Sequence, residues 1–537
     1  MHNKHLVLVA VVVGWLVLLA GCGGLGARSC PNGNCAPACA GGTYASDGSC
    51  VAFTVCPAGS YVVQAGTAAA DQICASCPSG TFSTLANRAS CTPRPHVLVL
   101  LTDDQRYDTV HALGNQLIQT PNIDRLAYAG TAFSQAACQG GVNGAVCITS
   151  RASLMTGRTI NHLEGDDGAG EIIPVEHTTL PELLRQAGYV TFATGKWHSD
   201  IASYMRMFDH ADNILFGGMF PLEEGGQAHP MLYHFDPTGA YPPEARFQGD
   251  RFSSTMFADT AIDFIKTLPM EGRPFFGYVA FTSPHDPRTP PPPFDTMYDP
   301  NQTPLPDNFL PEHPFDNGEL HNRDEDLLPI PRDPALVRKE IAAYYGMISE
   351  VDAQIGRILD TLAEQKLLDQ TMIIFAGDNG LALGSHGLLG KQNVYDDSVR
   401  VPMIITGPGI AANVVSDRFA FLHDLLPTVA ALLGLAPPVS SQGNALLGAN
   451  AALPRQIAYH QYHDIHRAIR TADHWKLIGY RLTVTGAQFD RMQLFNLNVD
   501  PSEMNDLSMA DAYQAKLAEL QSLLASERAL YDDPLLQ

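Results

Sequence analysis

The amino-acid sequence predicts an α/β sandwich with a large, mainly parallel sheet between helices, because of two patterns. Four apolar runs end in polar residues, as strands buried on both faces do, and they cover residues 96–105, 189–198, 275–285 and 371–380. Helical patterns alternate with these runs in residues 180–187 and in an apolar stripe, at three- and four-residue spacing, from Ile341 to Leu362. Such alternation is typical of a parallel sheet covered by helices.

The helix boundaries follow from local signals. The longer helix is predicted to begin at Asp333-Pro334, because proline is favoured at the first helical position. Gly188 is the stop signal of the shorter helix, directly before the second strand.

Each of the four strand runs ends in residues that can carry chemistry. These residues are Asp103 and Asp104, Lys196 and His198, His285, and Asp378 and Asn379. Each signal alone is weak, because an acidic pair at a strand end is more often a turn or helix cap, and a single histidine is usually structural. Since ligands of α/β sheets bind beyond the carboxyl ends of the strands, the four ends together predict one shared crevice.

The residue types in this crevice favour a metal and an anion. Three carboxylates and an amide oxygen suit a hard divalent cation, Ca²⁺ or Mg²⁺, better than zinc. The side chains that would hold an anion against the metal are Arg151, Lys196, His198, His285 and Lys391. Gly195 and Gly390 precede the two lysines and favour backbone approach to an anion over two solvated surface lysines. The set indicates transfer of a sulfuryl or phosphoryl group.

Composition excludes one class of partner. The chain has 537 residues and a formal net charge of −23, so nothing in it would neutralise the phosphates of a nucleic acid. No nucleic acid is therefore expected as a partner, although a cationic pocket can exist inside an acidic protein.

Residues 1–22 are predicted to be an export signal. Lys4 precedes an apolar run from Leu6 to Ala20, which is short for a membrane span and typical of a signal peptide. The run ends in LAGC, which resembles a bacterial lipobox and implies cleavage before Cys22 and a lipid anchor on its sulfur. An ordinary secretory signal is the alternative. Both predict export, and the lipid anchor predicts attachment to the bacterial membrane, facing the periplasm or the cell surface.

Residues 23–94 are predicted to be a disulfide-rich module or stalk. Its eight cysteines are Cys30, Cys35, Cys39, Cys50, Cys56, Cys74, Cys77 and Cys91. An even number in an exported, Gly/Pro-rich stretch indicates disulfides, and the CPAGSYV and CASCPSGTFS pieces resemble cysteine-rich repeats of tumour-necrosis-factor-receptor or ephrin-receptor type. A zinc site at Cys74 and Cys77 is the alternative, which no nearby histidine supports.

The segment CITSRASLMTGR, from Cys147 to Arg158, resembles the formylglycine signature of the type I sulfatases in the alkaline-phosphatase-like superfamily. The motifs LLTDDQ, TPNIDRLA, GKWH, SPHDPR, GDNG and GSHGLLGK occur in that family's order, and the resemblance begins near His96 and reaches the C-terminal segment. Thr149 departs from the family, which usually has Pro or Ala there, within the segment that the maturation enzyme reads. The resemblance implies an alkaline-phosphatase-like catalytic domain over residues 95–453 and a small C-terminal subdomain over residues 454–537.

The resemblance also implies a reaction. A formylglycine-generating enzyme would oxidise Cys147 to an aldehyde before folding, and the hydrated aldehyde would hydrolyse sulfate esters, with sulfated small molecules or glycans as substrates. One hydroxyl attacks sulfur, and deprotonation of the other expels sulfate. Asp103, Asp104, Asp378, Asn379 and residue 147 would hold Ca²⁺, with Mg²⁺ or Mn²⁺ as alternatives.

The remaining roles that the resemblance implies fall on cationic side chains. Arg151 would orient the aldehyde, Lys196 would hold a sulfate oxygen, and His198 would be the base. His285 and Lys391 would contact the bridging oxygen and assist departure of the alcohol. His386, in GSHG, would contact substrate or support the loop that carries Lys391.

Three alternatives stay open at this stage. A phosphodiesterase or phosphonate monoester hydrolase can share the fold, the aldehyde and the metal. An unconverted chain would be a non-catalytic surface protein that binds sulfated ligands. A disulfide between Cys138 and Cys147 would also remove the nucleophile.

Structural predictions can also be made for two further regions. Residues 284–334 are proline-rich without periodicity and are a candidate wall of the substrate site. Beyond residue 454, antiparallel strands precede a helix over residues 513–530, with Leu517, Leu520 and Leu524 facing inward. Three histidines in these strands could reach substrate, although a position at the surface is expected for them: His460, His463 and His466.

Overall fold

A computed structural model of the chain describes residues 41–46, 49–56, 60–77, 81–82, 87–165, 168–267, 272–483 and 488–536. The predicted export signal, the anchor at Cys22 and the cysteines Cys30, Cys35 and Cys39 lie outside the described residues. Among the described helices, none combines the length and the apolar character needed to cross a membrane.

The chain forms two compact units. One contains the described parts of residues 41–55 and 62–74, with the strands Thr43–Ser46 and Ser49–Ala52. The other contains residues 56–61 and the described parts of 75–537, so the regions predicted as catalytic domain and C-terminal subdomain share one unit. Cys77 and Cys91 form a disulfide, and Cys50, Cys56 and Cys74 are disulfide-bonded too. These bonds confirm disulfides in this region and leave Cys74 and Cys77 no thiolates for zinc.

An eight-stranded mixed sheet is the centre of the larger unit, as predicted. In chain order its strands are β1 (His96–Thr102), β2 (Gly130–Ala137), β3 (Val190–Lys196), β4 (His210–Leu215), β5 (Phe275–Ala280), β6 (Thr371–Gly377), β7 (Met403–Thr406) and β8 (Val414–Phe421). Their order across the sheet is β4-β3-β5-β1-β6-β7-β2-β8. Only β7 runs antiparallel to its two neighbours in this sheet.

Helices cover both faces of this sheet. The α-helices are α1 (Pro121–Ala129), α2 (Val146–Thr156), α3 (Leu180–Gln186), α4 (Ile201–Met207), α5 (Ser253–Thr267), α6 (Pro334–Glu364), α7 (Asp396–Val399), α8 (Leu425–Leu432) and α9 (Gln514–Leu530). Successive residues of β1 point to opposite faces, so Val99 joins a core with α2, α3 and α8, whereas Leu98 joins a core with α1, α5 and α6. The central sheet is therefore buried on both faces.

The predicted helix starts are confirmed. The Asp333 carboxylate accepts the backbone N–H of Ala335 at 2.7 Å and caps α6. Thr179 and Glu182 form a capping box at the start of α3. All seven residues of the apolar stripe on α6 are buried: Ile341, Tyr344, Ile348, Val351, Ile355, Leu359 and Leu362.

The C-terminal region is an antiparallel sheet with a helix, as predicted. Its strands are β9 (Ile457–Tyr462), β10 (His466–Thr471), β11 (Trp475–Tyr480) and β12 (Arg491–Asn496), and α9 packs on it through Leu520 and Leu524. A fifth strand, Gly140–Gly141, pairs in parallel with β9. Since Gly140–Gly141 lies six residues before Cys147 in the chain, this sheet is joined directly to the segment that carries the signature.

Candidate active site

Cys147 lies in the first turn of α2, where the sequence places the signature. The side chain is 2% exposed, and its thiol is free. The helix ends at Gly157, whose φ of 68° is left-handed and whose N–H donates to the Ser153 carbonyl. Because the first N–H groups of a helix lack partners within it, this location favours an anion beside residue 147.

Three cationic or basic side chains surround the sulfur. His198 Nδ1 lies 3.3 Å from Cys147 Sγ, Lys196 Nζ 3.5 Å and Lys391 Nζ 3.9 Å from it. Lys196 is the last residue of β3, and His198 follows two residues later with a φ of 74°, which turns the chain at the strand end. Sγ therefore marks the centre of an anion-binding cluster.

The carboxylates meet beside this cluster because β1 and β6 are neighbours in register, with Thr102 opposite Gly377. The two strands thus end at one level, and Asp103, Asp104, Asp378 and Asn379 follow them, each at most 1% exposed. The Asp104 N–H donates to Asp378 Oδ1 at 3.0 Å, and Asn379 Nδ2 donates to Asp104 Oδ1 at 2.8 Å. The predicted convergence of two strand ends is present.

Ion pairs connect the carboxylates to the cations. Arg151 donates from Nε to Asp378 Oδ2 at 2.9 Å, and its Nη2 lies 2.9 Å from the same oxygen. Lys196 Nζ lies 2.5 Å from Asp103 Oδ2. Lys391 Nζ lies 2.7 Å from Asp104 Oδ1. Since an unpaired buried charge is costly, each of these cations holds a carboxylate in place.

Burial and neighbouring charges raise some pKa values of the site and lower others. Burial disfavours the Asp103 anion, but Lys196 and Arg151 outweigh it and keep the pKa of Asp103 below its usual value. Burial and the Asp103 charge raise the pKa of Asp378 to about 7. Burial, Lys196 and Arg151 hold the pKa of His198 well below its usual value, so its imidazole is neutral and can accept a proton. Burial also raises the pKa of the Cys147 thiol, which is therefore not an activated thiolate.

The acidic residues fit a hard divalent cation. Ligand atoms of Asp103, Cys147 and Asp378 lie within 4.8 Å of one another, as do those of Asp103, Asp104 and His285. Asp103 Oδ1 and Asn379 Oδ1 are buried without a hydrogen-bond partner among the described residues. Because unpartnered buried oxygens are costly, they are available to a cation, and an oxygen-rich donor set suits Ca²⁺ or Mg²⁺.

His285 follows β5 and faces the same cluster. Its Nε2 lies 3.7 Å from Asp104 Oδ2, and its Nδ1 lies 2.8 Å from the carbonyl oxygen of Asp286. That carbonyl can only accept, so Nδ1 carries a proton and Nε2 faces the site. Gln227, which is 1% exposed, donates to the His285 carbonyl at 3.2 Å and accepts from the Ser253 hydroxyl at 2.6 Å. A buried polar network thus fixes the backbone of His285.

An open cavity of about 290 Å³ leads from Cys147 to the surface. Cys147, His198, His285 and Lys391 line it. Asn322, Arg323 and Asp324, from the proline-rich stretch, line it too, so that stretch does form part of the wall. The sequence motifs did not indicate these three residues, because no periodicity or motif marks them.

Known proteins share this sequence and architecture. The sulfatase family model matches residues 95–435. The chain belongs to the sulfatase family. The C-terminal model of N-sulphoglucosamine sulphohydrolase matches residues 384–529. This sulfatase is a sulfuric ester hydrolase, and its family uses a metal ion and a formylglycine.

Curated relatives span most of the chain. An N-acetylglucosamine-6-O-sulfatase of Bacteroides thetaiotaomicron is 28% identical over 514 residues, covering 82% of this chain and 88% of the relative. An arylsulfatase of Clostridium perfringens is 27% identical over 473 residues, covering 81% of this chain and 94% of the relative. The similarity therefore extends across the catalytic region and the C-terminal sheet.

Solved structures share the alkaline-phosphatase-like fold. A protein solved in complex with its substrate D-glucosamine-2-N,6-O-disulfate superposes with a TM-score of 0.66 at 24% identity, covering 82% of this chain and 98% of that one. The phosphonate monoester hydrolase of Agrobacterium radiobacter gives a TM-score of 0.61 at 22% identity, covering 82% of this chain and 96% of that one. These likenesses establish the fold of the sulfatase.

His386 is not brought to the cluster. Its ring stacks on Tyr395 with centroids 3.8 Å apart, and its Nε2 lies 3.1 Å from Asn308 Nδ2. It is 4% exposed and does not line the cavity at Cys147. This position agrees with support of the loop that carries Lys391, and it argues against contact with substrate.

Cys138 and Cys147 are both free, which excludes the alternative of a disulfide between them. Two histidines differ from expectation. His460 and His466 are buried, and only His463 of the three is exposed. His460 Nδ1 lies 3.0 Å from the Cys138 carbonyl, so the expected surface position is wrong for this residue.

The glycines before the two lysines pack closely against neighbouring protein atoms. A Cβ on Gly195 would lie 2.0 Å from the Ala280 carbonyl of β5, and its φ is 93°. A Cβ on Gly390 would lie 2.3 Å from Gln392 Oε1. Close packing of the chain therefore requires both glycines.

Proposed function

We propose that this chain hydrolyses sulfate esters of carbohydrates at the cavity that Cys147 lines. The observation that carries the proposal is the cluster of Lys196, His198 and Lys391 within 3.3–3.9 Å of Cys147 Sγ. The names and ligand of the relatives described above, an N-acetylglucosamine-6-O-sulfatase and a complex with a disulfated glucosamine, support a sulfated amino sugar as substrate.

Cys147 is proposed to be the precursor of formylglycine, so that Sγ stands for the attacking oxygen. The hydrated aldehyde supplies a hydroxyl that attacks sulfur and a second one whose deprotonation releases sulfate. In the folded chain, residue 147 is 2% exposed, lies within α2 and is reached only through the cavity. A formylglycine-generating enzyme, which has to bind the segment around residue 147, is therefore proposed to act before the domain folds.

The cations around residue 147 are proposed to bind and orient the sulfate. Lys196 reaches this position from the end of β3 and Lys391 from the loop that follows β6, and Arg151 is held rigidly by its two contacts with Asp378. Preorganised charges of this kind stabilise the negative charge that develops during transfer of the sulfuryl group.

Proton transfer is proposed to use the two histidines. His198 Nδ1 lies 3.3 Å from Sγ, which places the imidazole to remove a proton from the residue-147 hydroxyl. His285 is oriented by the hydrogen bond from its Nδ1–H to the Asp286 carbonyl. As an imidazolium it would also carry a proton on Nε2, which it would give to the departing alcohol oxygen.

Asp103, Asp104, Asp378 and Asn379 are proposed to hold Ca²⁺. When bound, the cation polarises a sulfate oxygen and offsets the negative charge of the carboxylates. A lipid anchor at Cys22 on the exported protein is also proposed, supported by the LAGC sequence alone.

Two measurements test the proposed function. Mass spectrometry of the tryptic peptide that contains residue 147, after co-expression with a formylglycine-generating enzyme, should show the mass loss that accompanies conversion of a thiol to an aldehyde. An unmodified thiol in fully folded, active protein would contradict the proposal.

A substrate panel then separates the reaction classes. With saturating Ca²⁺, kcat/KM for sulfated amino sugars should exceed that for a phosphodiester or a phosphonate monoester. Faster turnover of either phosphorus ester would assign the chain to the phosphonate monoester hydrolase alternative. Cys147→Ala provides the matched control for contaminating activity.

A further inference from the structure

A second cavity lies directly beside the one at Cys147. Its volume is about 420 Å³, and it opens to solvent. Met219 lines both cavities. Binding sites for small ligands commonly have volumes of about 300–1,000 Å³, so the cavity at Cys147, at about 290 Å³, is at the small end, whereas the second cavity is larger.

One short segment connects the two cavities. Leu215, Phe216 and Gly217 line the second cavity, and Gly218 lines the one at Cys147. A Cβ on Gly218 would lie only 2.8 Å from His198 Nε2, so the segment touches the imidazole that contacts Cys147. Since consecutive Cα atoms are about 3.8 Å apart, Gly217, which lines the second cavity, is directly adjacent to Gly218, which lies against His198.

The lining of the second cavity is mainly apolar and aromatic. Phe216 and Tyr233 have ring centroids 5.7 Å apart, and Tyr241 packs against Phe216 with centroids 4.7 Å apart. These rings hold one another in place, so the wall is preformed. Met231 extends the apolar surface. The flat apolar face of a sugar ring packs against such a wall without loss of polar contacts.

The mouth of this cavity carries one ion pair. Arg246 Nη1 lies 3.0 Å from Glu224 Oε2, and the two side chains are 36% and 41% exposed. A guanidinium supplies donors and a carboxylate supplies acceptors, which together suit the hydroxyl groups around a sugar ring. An apolar wall with a few polar groups at the edge is typical of a specific ligand site.

We infer that the second cavity binds the sugar residue next to the sulfated one, so that the preferred substrate is an oligosaccharide. The inference rests on the proposed function, because it requires the sulfate to occupy the cavity at Cys147. The two rings would lie on either side of Met219, the residue that both cavities share.

Gly217 provides a selective test. A Cβ on Gly217 would meet only Leu215 Cδ1, at 3.6 Å, and its φ is not in the left-handed region, so a side chain fits there without backbone strain. Gly217→Trp should fill the second cavity and leave the one at Cys147 open. Gly217→Ala is the matched control, because it makes the same backbone change without filling the space.

The assay compares two substrates that carry the same sulfate. One is the sulfated monosaccharide with the highest activity in the panel above, and the other is a tetrasaccharide in which the same sulfated unit has a neighbour. Contact with these aromatic rings should raise wild-type kcat/KM for the tetrasaccharide by up to about tenfold. Gly217→Trp should abolish this ratio, and Gly217→Ala should retain it.

Each result decides between the hypotheses. A wild-type ratio near one, or a ratio that persists in Gly217→Trp, overturns the second site while the sulfatase activity stands. Failure of the wild type to release sulfate from both compounds overturns the proposed function and this inference with it. As a measurement without turnover, the tetrasaccharide should bind Cys147→Ala about tenfold more tightly than it binds the Cys147→Ala, Gly217→Trp double variant.

Discussion

Glu350 gives a quantitative test of the fold, because its carboxyl is buried on α6 without an ion-pair partner among the described residues. It is 1% exposed. Its Oε1 accepts from Gln354 Nε2 at 2.8 Å and from the Thr255 hydroxyl at 3.4 Å, whereas Oε2 has no hydrogen-bond partner in the described part of the chain. Burial, which outweighs these hydrogen bonds and the nearby Arg357, raises the pKa of Glu350 to about 7.

The raised pKa has a definite effect on stability. The folded chain holds a proton on Glu350 between pH 4.5, its ordinary pKa, and about 7, whereas the unfolded chain has lost it. The contribution of Glu350 to stability is therefore complete below pH 4.5 and is lost as the pH rises through 7. At about 1.36 kcal/mol per pH unit, the loss is about 3 kcal/mol, most of which occurs between pH 5 and pH 8.

Glu350→Gln removes the titrating group and keeps its shape. The free energy of unfolding of the variant, minus that of the wild type, should therefore rise by about 2 to 3 kcal/mol from pH 5 to pH 8. Urea unfolding, followed by tryptophan fluorescence at both pH values, measures this difference. Glu364→Gln, at the exposed end of the same helix, is the matched control. A difference for Glu350→Gln that does not change with pH would refute the reasoning.

Three further predictions concern the active site. Lys391→Met removes a positive charge beside residue 147 and should lower kcat/KM for sulfate release about 10²–10³-fold. Lys339→Met, on the exposed face of α6, should leave kcat/KM unchanged. Equal kcat/KM values for the two variants would contradict the role of Lys391. Ca²⁺ at about 100 times its Kd should raise the free energy of unfolding by about 2.7 kcal/mol, measured by urea titration with and without a chelator, and Asp378→Asn should lose most of this gain. Gln227→Leu should lower kcat for sulfate release because it frees the backbone of His285, whereas an unchanged kcat would show that this hydrogen bond does not position His285.

The sequence predicted those parts of the site that a parallel sheet determines. Asp103 and Asp378 follow apolar runs, and such runs become adjacent strands because both faces must be buried. Once β1 and β6 pair with Thr102 opposite Gly377, Asp103 and Asp378 lie close together because each directly follows its strand. Lys196 and His285 are at strand ends for the same reason. Periodicity and register were therefore sufficient for these residues.

No sequence pattern predicted where the side chains of the loops would lie. Arg323 reaches the cavity because its guanidinium pairs with Asp286 and Asp324, two charges that are distant from one another in the sequence. His386 precedes Lys391 by five residues, but its left-handed φ of 56° and its contact with Tyr395 turn the ring away from the cavity. Contacts of this kind depend on the path of the chain, which hydrophobic periodicity does not describe.

The balance of charge explains why the site needs a cation as well as a sulfate. The carboxylates Asp103, Asp104 and Asp378 pair with Lys196, Lys391 and Arg151 respectively. When all six groups are ionised, the three pairs have no net charge, while burial and the Asp103 charge raise the pKa of Asp378 to about 7. A divalent cation would give this buried set an excess of two positive charges. The lysines could then turn from the carboxylates toward a sulfate, so metal and substrate binding should be mutually reinforcing.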